Sequence, residues 1–128
     1  MALINIRETS SVNIPVATLT HLSIPTAVLH GSIYWVPKNT IMNITADIAL
    51  PDGDLMVMSE SLSDATNPKD ADRFVATISG GKMTMTVFFE KAGNYRFNAA
   101  RINRGLDRIG AGVHLSFDDI EFDVYAKV

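Results

Sequence analysis

The chain has no cysteine among its 128 residues, which excludes a disulfide framework, a thiolate metal site and a thiol nucleophile at once. The fold must hold by packing alone. No apolar run approaches the ~20 residues that a membrane-spanning helix needs. The opening residues, Met1-Ala2-Leu3-Ile4-Asn5-Ile6-Arg7-Glu8, show no basic stretch followed by a long apolar one. From this pattern a cytosolic product with no membrane partner is expected. An excess of positive charge is missing too: 11 Lys and Arg stand against 14 Asp and Glu, for a net charge of -3. Such a chain has no long-range field to hold a polyanion, so nucleic acid is not expected as a partner. What the chain does have is apolar residues, at 47%. That is high for a small β domain and suggests apolar surface buried against other subunits.

The most informative stretch is Lys82-Met83-Thr84-Met85-Thr86-Val87-Phe88-Phe89 followed by Gly93-Asn94-Tyr95-Arg96-Phe97-Asn98-Ala99, with Glu90-Lys91-Ala92-Gly93 as a short turn-like break. Met83, Met85, Val87 and Phe89 fall on one face and Lys82, Thr84, Thr86 and Glu90 on the other, the period of two that a half-buried strand requires. Tyr95, Phe97 and Ala99 repeat the pattern against Asn94, Arg96 and Asn98. Two amphipathic strands in succession predict an antiparallel sandwich or barrel. The inward side chains of Ile44, Ile48, Val87, Phe89, Tyr95 and Phe97 are the expected core.

The length suits one domain over 1–128, with 1–20 as an extended N-terminal arm or edge strand. Pro15, Pro25 and Pro37 interrupt any long strand in the first forty residues, leaving short pieces over Val12 to Leu19 and Ala27 to Tyr34. Ile41 to Leu50 reads as a strand, and Pro51-Asp52-Gly53-Asp54 predicts a hairpin back into Leu55 to Leu62. Ser63 to Asp72 is polar throughout and reads as a loop. Arg73 to Ser79 then returns through Gly80-Gly81. The glycines at 105, 110 and 112 suit a long loop over Arg101 to Gly112 better than a helix. Val113 to Phe117 and Ile120 to Val124 alternate with opposite parity, which requires a bulge or turn at Asp118-Asp119.

Ala92-Gly93-Asn94-Tyr95-Arg96-Phe97 resembles the entry to the sixth strand of immunoglobulin-like domains. There a small residue and a glycine precede a tyrosine whose hydroxyl folds back on the corner. Phe97 stands where antibody domains carry a cysteine. Trp35 departs from that pattern, because it precedes the Ile41 strand and does not lie in the strand after it. The resemblance implies an all-β fold, a disulfide-free antiparallel β-sandwich of about seven or eight strands. Small cysteine-free domains of this type resemble those attached to tailed-bacteriophage virions as decoration, tail or fibre components. By that resemblance the chain would be found in a virion, or in host cytoplasm before assembly, with other protein subunits as partners in a homo-oligomer or larger particle.

Candidate chemistry is thin. His21, His30 and His114 have no metal-ligand spacing. Asp52 and Asp54, then Asp64, Asp70 and Asp72, then Asp118, Asp119, Glu121 and Asp123 form acidic groups. None follows a calcium-loop pattern, and turn and loop solvation accounts for them. No nucleophile elbow or phosphate loop occurs, since Gly80-Gly81 has neither the lysine nor the helix. No enzyme activity, metal or cofactor is expected. Tyr34-Trp35 is the aromatic pair for a partner or a glycan, although a lone tryptophan in a small domain is more often buried, which would make Trp35 a cap on the core beneath Pro37. Arg101, Arg104 and Arg108 could grip a carboxylate or a partner's acidic patch, although solvated loop charge is the commoner role for such residues. These residues leave two readings, a structural and interaction protein or a carbohydrate-binding module.

Overall fold

A computed structural model describes residues 14–64 and 66–127. Among the described residues, eleven strands and one helix follow in the order β1 (Val16–Thr18), β2 (Thr20–Ser23), β3 (Val28–His30), β4 (Ile33–Pro37), β5 (Met42–Asp47), β6 (Gly53–Ser61), β7 (Lys69–Ser79), β8 (Lys82–Val87), β9 (Gly93–Phe97), α1 (Ala99–Arg108), β10 (His114–Ser116) and β11 (Ile120–Tyr125). Nine strands form one curled mixed sheet in the order β2-β5-β8-β7-β6-β9-β11-β4-β3, and β1 pairs with β10. The all-β expectation agrees with this, while the count exceeds the predicted seven or eight. Of the arm expected over 1–20, residues 1–13 lie outside the described residues, and the rest includes β1.

The alternation read from the sequence is the alternation that folds. Met83, Met85, Val87 and Phe89 are buried, as are Met42, Ile44, Ala46 and Ile48. Tyr95 and Phe97 on β9 meet Phe122 on β11 across the same interior. Phe89 stacks on Tyr95 with ring centroids 4.2 Å apart, and Phe97 lies edge-on to Phe122 at 5.8 Å. The Tyr95 hydroxyl donates to the Lys91 carbonyl at 2.9 Å, folding back on the corner that leads into β9. Burial, reinforced by the negative charge of Asp72, pushes its phenol above the ordinary value. Gly80 and Gly81, both at positive φ, join β7 to β8 in a two-residue hairpin.

Further expectations are overturned. The loop expected over Ser63 to Asp72 ends early, because β7 begins at Lys69, which pairs with Ser61 on β6. The sheet is not wholly antiparallel, because β4 runs parallel to β11 and β1 parallel to β10. These partners are far apart in the chain, so no tight turn dictates their direction. The hairpin expected across Pro51-Asp52-Gly53-Asp54 does not form, since β8 and β7 lie between β5 and β6. The connecting segment crosses the end of the β7–β8 hairpin, where the Ile48 N–H donates to the Gly81 carbonyl and the Gly80 N–H to the Asp52 carboxylate, each at 2.9 Å. Three strand spacings amount to about 14 Å, and the steps from Asp47 to Gly53 reach roughly 20 Å.

The loop expected over Arg101 to Gly112 contains α1. Asn98 caps it, its side-chain oxygen accepting from the Arg101 N–H, while Ile102 and Leu106, one turn apart, are buried. Gly105 lies inside the helix without a positive φ, whereas the glycines that have one, 110 and 112, come only after it. Lastly, Trp35 does not cap the core beneath Pro37 but lies on the outer face of β4. Among the described residues no helix is long and apolar enough to cross a membrane.

Candidate interaction surface

Neighbouring residues of a strand point to opposite faces, and this separates the predicted aromatic pair. Tyr34 sits opposite Phe122 and turns inward, its ring 5.9 Å from that of Phe122. Trp35 sits between Val28 and Asp123 and faces outward. It is 39% exposed, Tyr125 is 39% exposed and Val28 is 56% exposed. Tyr125 and His30 flank the indole, with ring centroids 6.4 Å and 6.0 Å away. An aromatic and aliphatic strip therefore lies on the outer face of β3, β4 and β11, with Asp123 and Asn94 level with Trp35 on the next two strands. Tyr125 and Val28 could not be assigned to this strip from the sequence, because only the strand register brings them beside Trp35.

The three arginines occupy one side of α1 in two different roles. Arg101 makes two 2.8 Å hydrogen bonds to the Asp70 carboxylate, fastening the helix to β7. These bonds hold the Asp70 carboxyl below the ordinary carboxylate range, aided by the nearby charges of Arg101, Arg104 and Arg108. Arg101 is raised in turn by the same partner. Arg104 and Arg108 are exposed. The sequence did not show the second ion pair of this region, Arg96 to Glu60 at 2.9 Å, in which Glu60 is buried. The Arg96 guanidinium also reaches Asp119 at 3.3 Å. Opposite charge on β6 and β9 was visible, but the register pairing them was not.

The remaining predicted polar groups are spread around the molecule. His21 pairs with Asp47 and His114 with Asp107, while Asp52 and Asp64 accept hydrogen bonds from Gly80 and Thr66. Lys82, foremost, and His21 lower the Asp47 carboxyl. Among the described residues no three of His, Cys, Asp and Glu gather as metal ligands would.

Two concavities stand beside these surfaces. An open cleft of about 550 Å³ is rimmed by Asp70, Asp72, Arg73, Glu90 and Lys91, with Phe74 and Phe88 at its wall. A second, of about 320 Å³, lies between β2 and the β3–β4 hairpin, its apolar lining made by Leu19, Leu22, Leu29, Tyr34 and Phe117. No family model matches the chain, and no curated protein matches it.

Proposed function

We propose that this chain is a non-enzymatic structural and interaction protein, an immunoglobulin-like sandwich that packs against further subunits in a larger symmetric assembly. The observation that carries the reading is the exposed strip of Val28, Trp35 and Tyr125 on the outer face of three adjacent strands. Aromatic side chains grouped at the surface are what protein interfaces use as anchors. The immunoglobulin-like part is supported by strand order. One half of the sheet runs β2-β5-β8-β7 and the other β6-β9-β11, in the manner of the A-B-E-D and C-F-G sheets of that fold. The Tyr95 hydroxyl, bonded back to Lys91 at the start of β9, is in keeping with the tyrosine corner on the sixth strand. Through the same resemblance, the assembly we propose is a bacteriophage-like virion, with this chain as a decoration, tail or fibre-associated component.

A second reading is favoured by one observation: Asp123 and Asn94 stand level with Trp35 on the outer face. An exposed indole beside a carboxylate and an amide suits stacking on a sugar ring, with the polar groups fixing its hydroxyls. Sedimentation velocity of the native chain, run beside a glycan array, separates the two. Under the assembly reading the chain sediments as an oligomer and Trp35→Ala loosens it. A monomer that binds a glycan, and loses it in Trp35→Ala, would establish the sugar reading instead.

A further inference from the structure

The exposed strip of Val28, Trp35 and Tyr125 is bordered by carboxylates. On β11, Glu121 stands opposite Ile33 and Arg96, and Asp123 opposite Trp35 and Asn94, so both acids share the outer face with the indole. Both are half-buried, and among the described residues neither enters an ion pair. The cation of the same rows, Arg96, is already held by Glu60 and Asp119. Lys38 and Lys127 come only after the ends of β4 and β11. An exposed indole beside carboxylates that no cation answers suits a positively charged partner, because the ring face attracts a guanidinium and the carboxylates fix its position.

A surface of the opposite character lies on α1. Arg101, Arg104 and Arg108 follow at spacings of three and four and so line one side of the helix. Arg101 is engaged by Asp70, and the Asp107 carboxylate by His114. Arg104 and Arg108 are exposed and enter no ion pair among the described residues. Ile109 follows at once and is 72% exposed, more than any other large apolar residue described. The spacing of the two surfaces matches as well as their charge. Positions four apart on a helix are separated by about 6 Å along its axis, and alternate positions on a strand by about 6.6 Å.

We infer that the Trp35 strip of one copy of the chain receives the arginine side of α1 from a second copy. The inference rests on the assembly reading above and specifies its joint. With α1 laid along β11, Arg104 meets Glu121 and Arg108 meets Asp123 beside the Trp35 ring. Ile109, further along in the same direction, then comes toward Tyr125. Two guanidiniums without a carboxylate thus find two carboxylates without a cation, and the most exposed isoleucine finds an apolar strip. Like-sign charge would oppose any other approach of two strips or two helices, which selects this pairing. Because the two surfaces differ, the contact is heterologous. Each copy gives its helix to one neighbour and receives that of another, so the contact closes into a ring or continues as a filament.

Exchange of charge tests the joint. A strip variant combines Glu121→Lys with Asp123→Lys, and a helix variant combines Arg104→Glu with Arg108→Glu. A third chain carries all four changes and so keeps the parent's net charge of -3. Self-association is measured by sedimentation velocity over a range of concentrations, with circular dichroism and the urea midpoint as folding controls. The expected result is association weaker by about tenfold or more for the strip variant and the helix variant alone. Their equimolar mixture and the chain with all four changes should recover it, because every lysine then faces a glutamate. Where a swapped chain fails its folding control, Glu121→Gln with Asp123→Asn, or Arg104→Gln with Arg108→Gln, takes its place and should weaken association in the same direction. An oligomer that both folded variants leave intact would overturn the joint and leave the assembly reading standing. Weakening by only one of the two would overturn the match of strip to helix, as would two weakened variants that fail to restore each other. A parent that stays monomeric at every concentration would overturn the assembly reading together with the joint.

Discussion

Replacing Phe97 by alanine should be among the most damaging single changes available to this chain. The ring is 1% exposed and packs edge-on against Phe74 and Phe122, with centroids 6.0 Å and 5.8 Å away. A buried phenylalanine removes about 150–250 Å² from water, worth roughly 4–6 kcal/mol at ~25 cal/mol per Å². Alanine retains a part of that, and the strands around it cannot collapse freely, so the expected cost is about 3–5 kcal/mol. Domains of this size have about 5–15 kcal/mol in total. With an unfolding entropy near 2.1 cal/mol/K per residue, the melting temperature should fall by roughly 11–19 °C. In urea, with a slope of about 2 kcal/mol per molar, the midpoint should drop by roughly 2 M. Phe88→Ala is the matched control: this ring lies one residue from the buried Phe89, faces outward and is 39% exposed. It should cost less than about 1 kcal/mol. An unmoved midpoint for Phe97→Ala, or equal losses for the two variants, would refute the assignment of faces on β8 and β9.

Tyr95→Phe deletes the hydroxyl bonded to the Lys91 carbonyl at 2.9 Å and should cost about 0.5–1.5 kcal/mol by chemical denaturation; no loss would mean the corner bond holds nothing. Asn98→Ala removes the cap that accepts from the Arg101 N–H and should cost about 1 kcal/mol, with faster amide exchange at the start of α1. Asp70 has a folded-state pKa below its unfolded one, principally through its hydrogen bonds to Arg101, so its contribution is present above about pH 4 and lost as the pH falls through the folded value. Asp70 is half exposed, so solvent screening keeps that contribution under about 1 kcal/mol. Urea titrations of Asp70→Asn and the parent should therefore differ at pH 7, with the gap closing as the pH falls below the ordinary carboxylate range and through the folded value; a gap that widened in acid would reverse the sign. Calcium and chelator should each leave the melting temperature where it was, because a ligand that binds only the folded state must raise it.

Which residues face the core was legible in the sequence wherever a strand alternates, because side-chain direction in a strand is a local property with a period of two. Met83 to Phe89, Tyr95 to Phe97 and Met42 to Ile48 were readable for that reason. The Gly80-Gly81 turn was readable because its positive φ angles need residues with no Cβ. Helix α1 was signalled by Ile102 and Leu106 at helical spacing behind Asn98, but one glycine inside it and two beyond it read as loop. Only the tertiary structure decided which strand lies beside which. Pro51-Asp52-Gly53-Asp54 turns the chain whether or not the flanking strands pair, and no local signal reports that β7 and β8 come between them. The same holds for the surface. Trp35 gains Tyr125 and Val28 as neighbours, Arg101 gains Asp70 and Arg96 gains Glu60 solely through register between segments distant in the chain. Local geometry is written residue by residue, whereas contacts across the sheet depend on how the whole chain closes on its core.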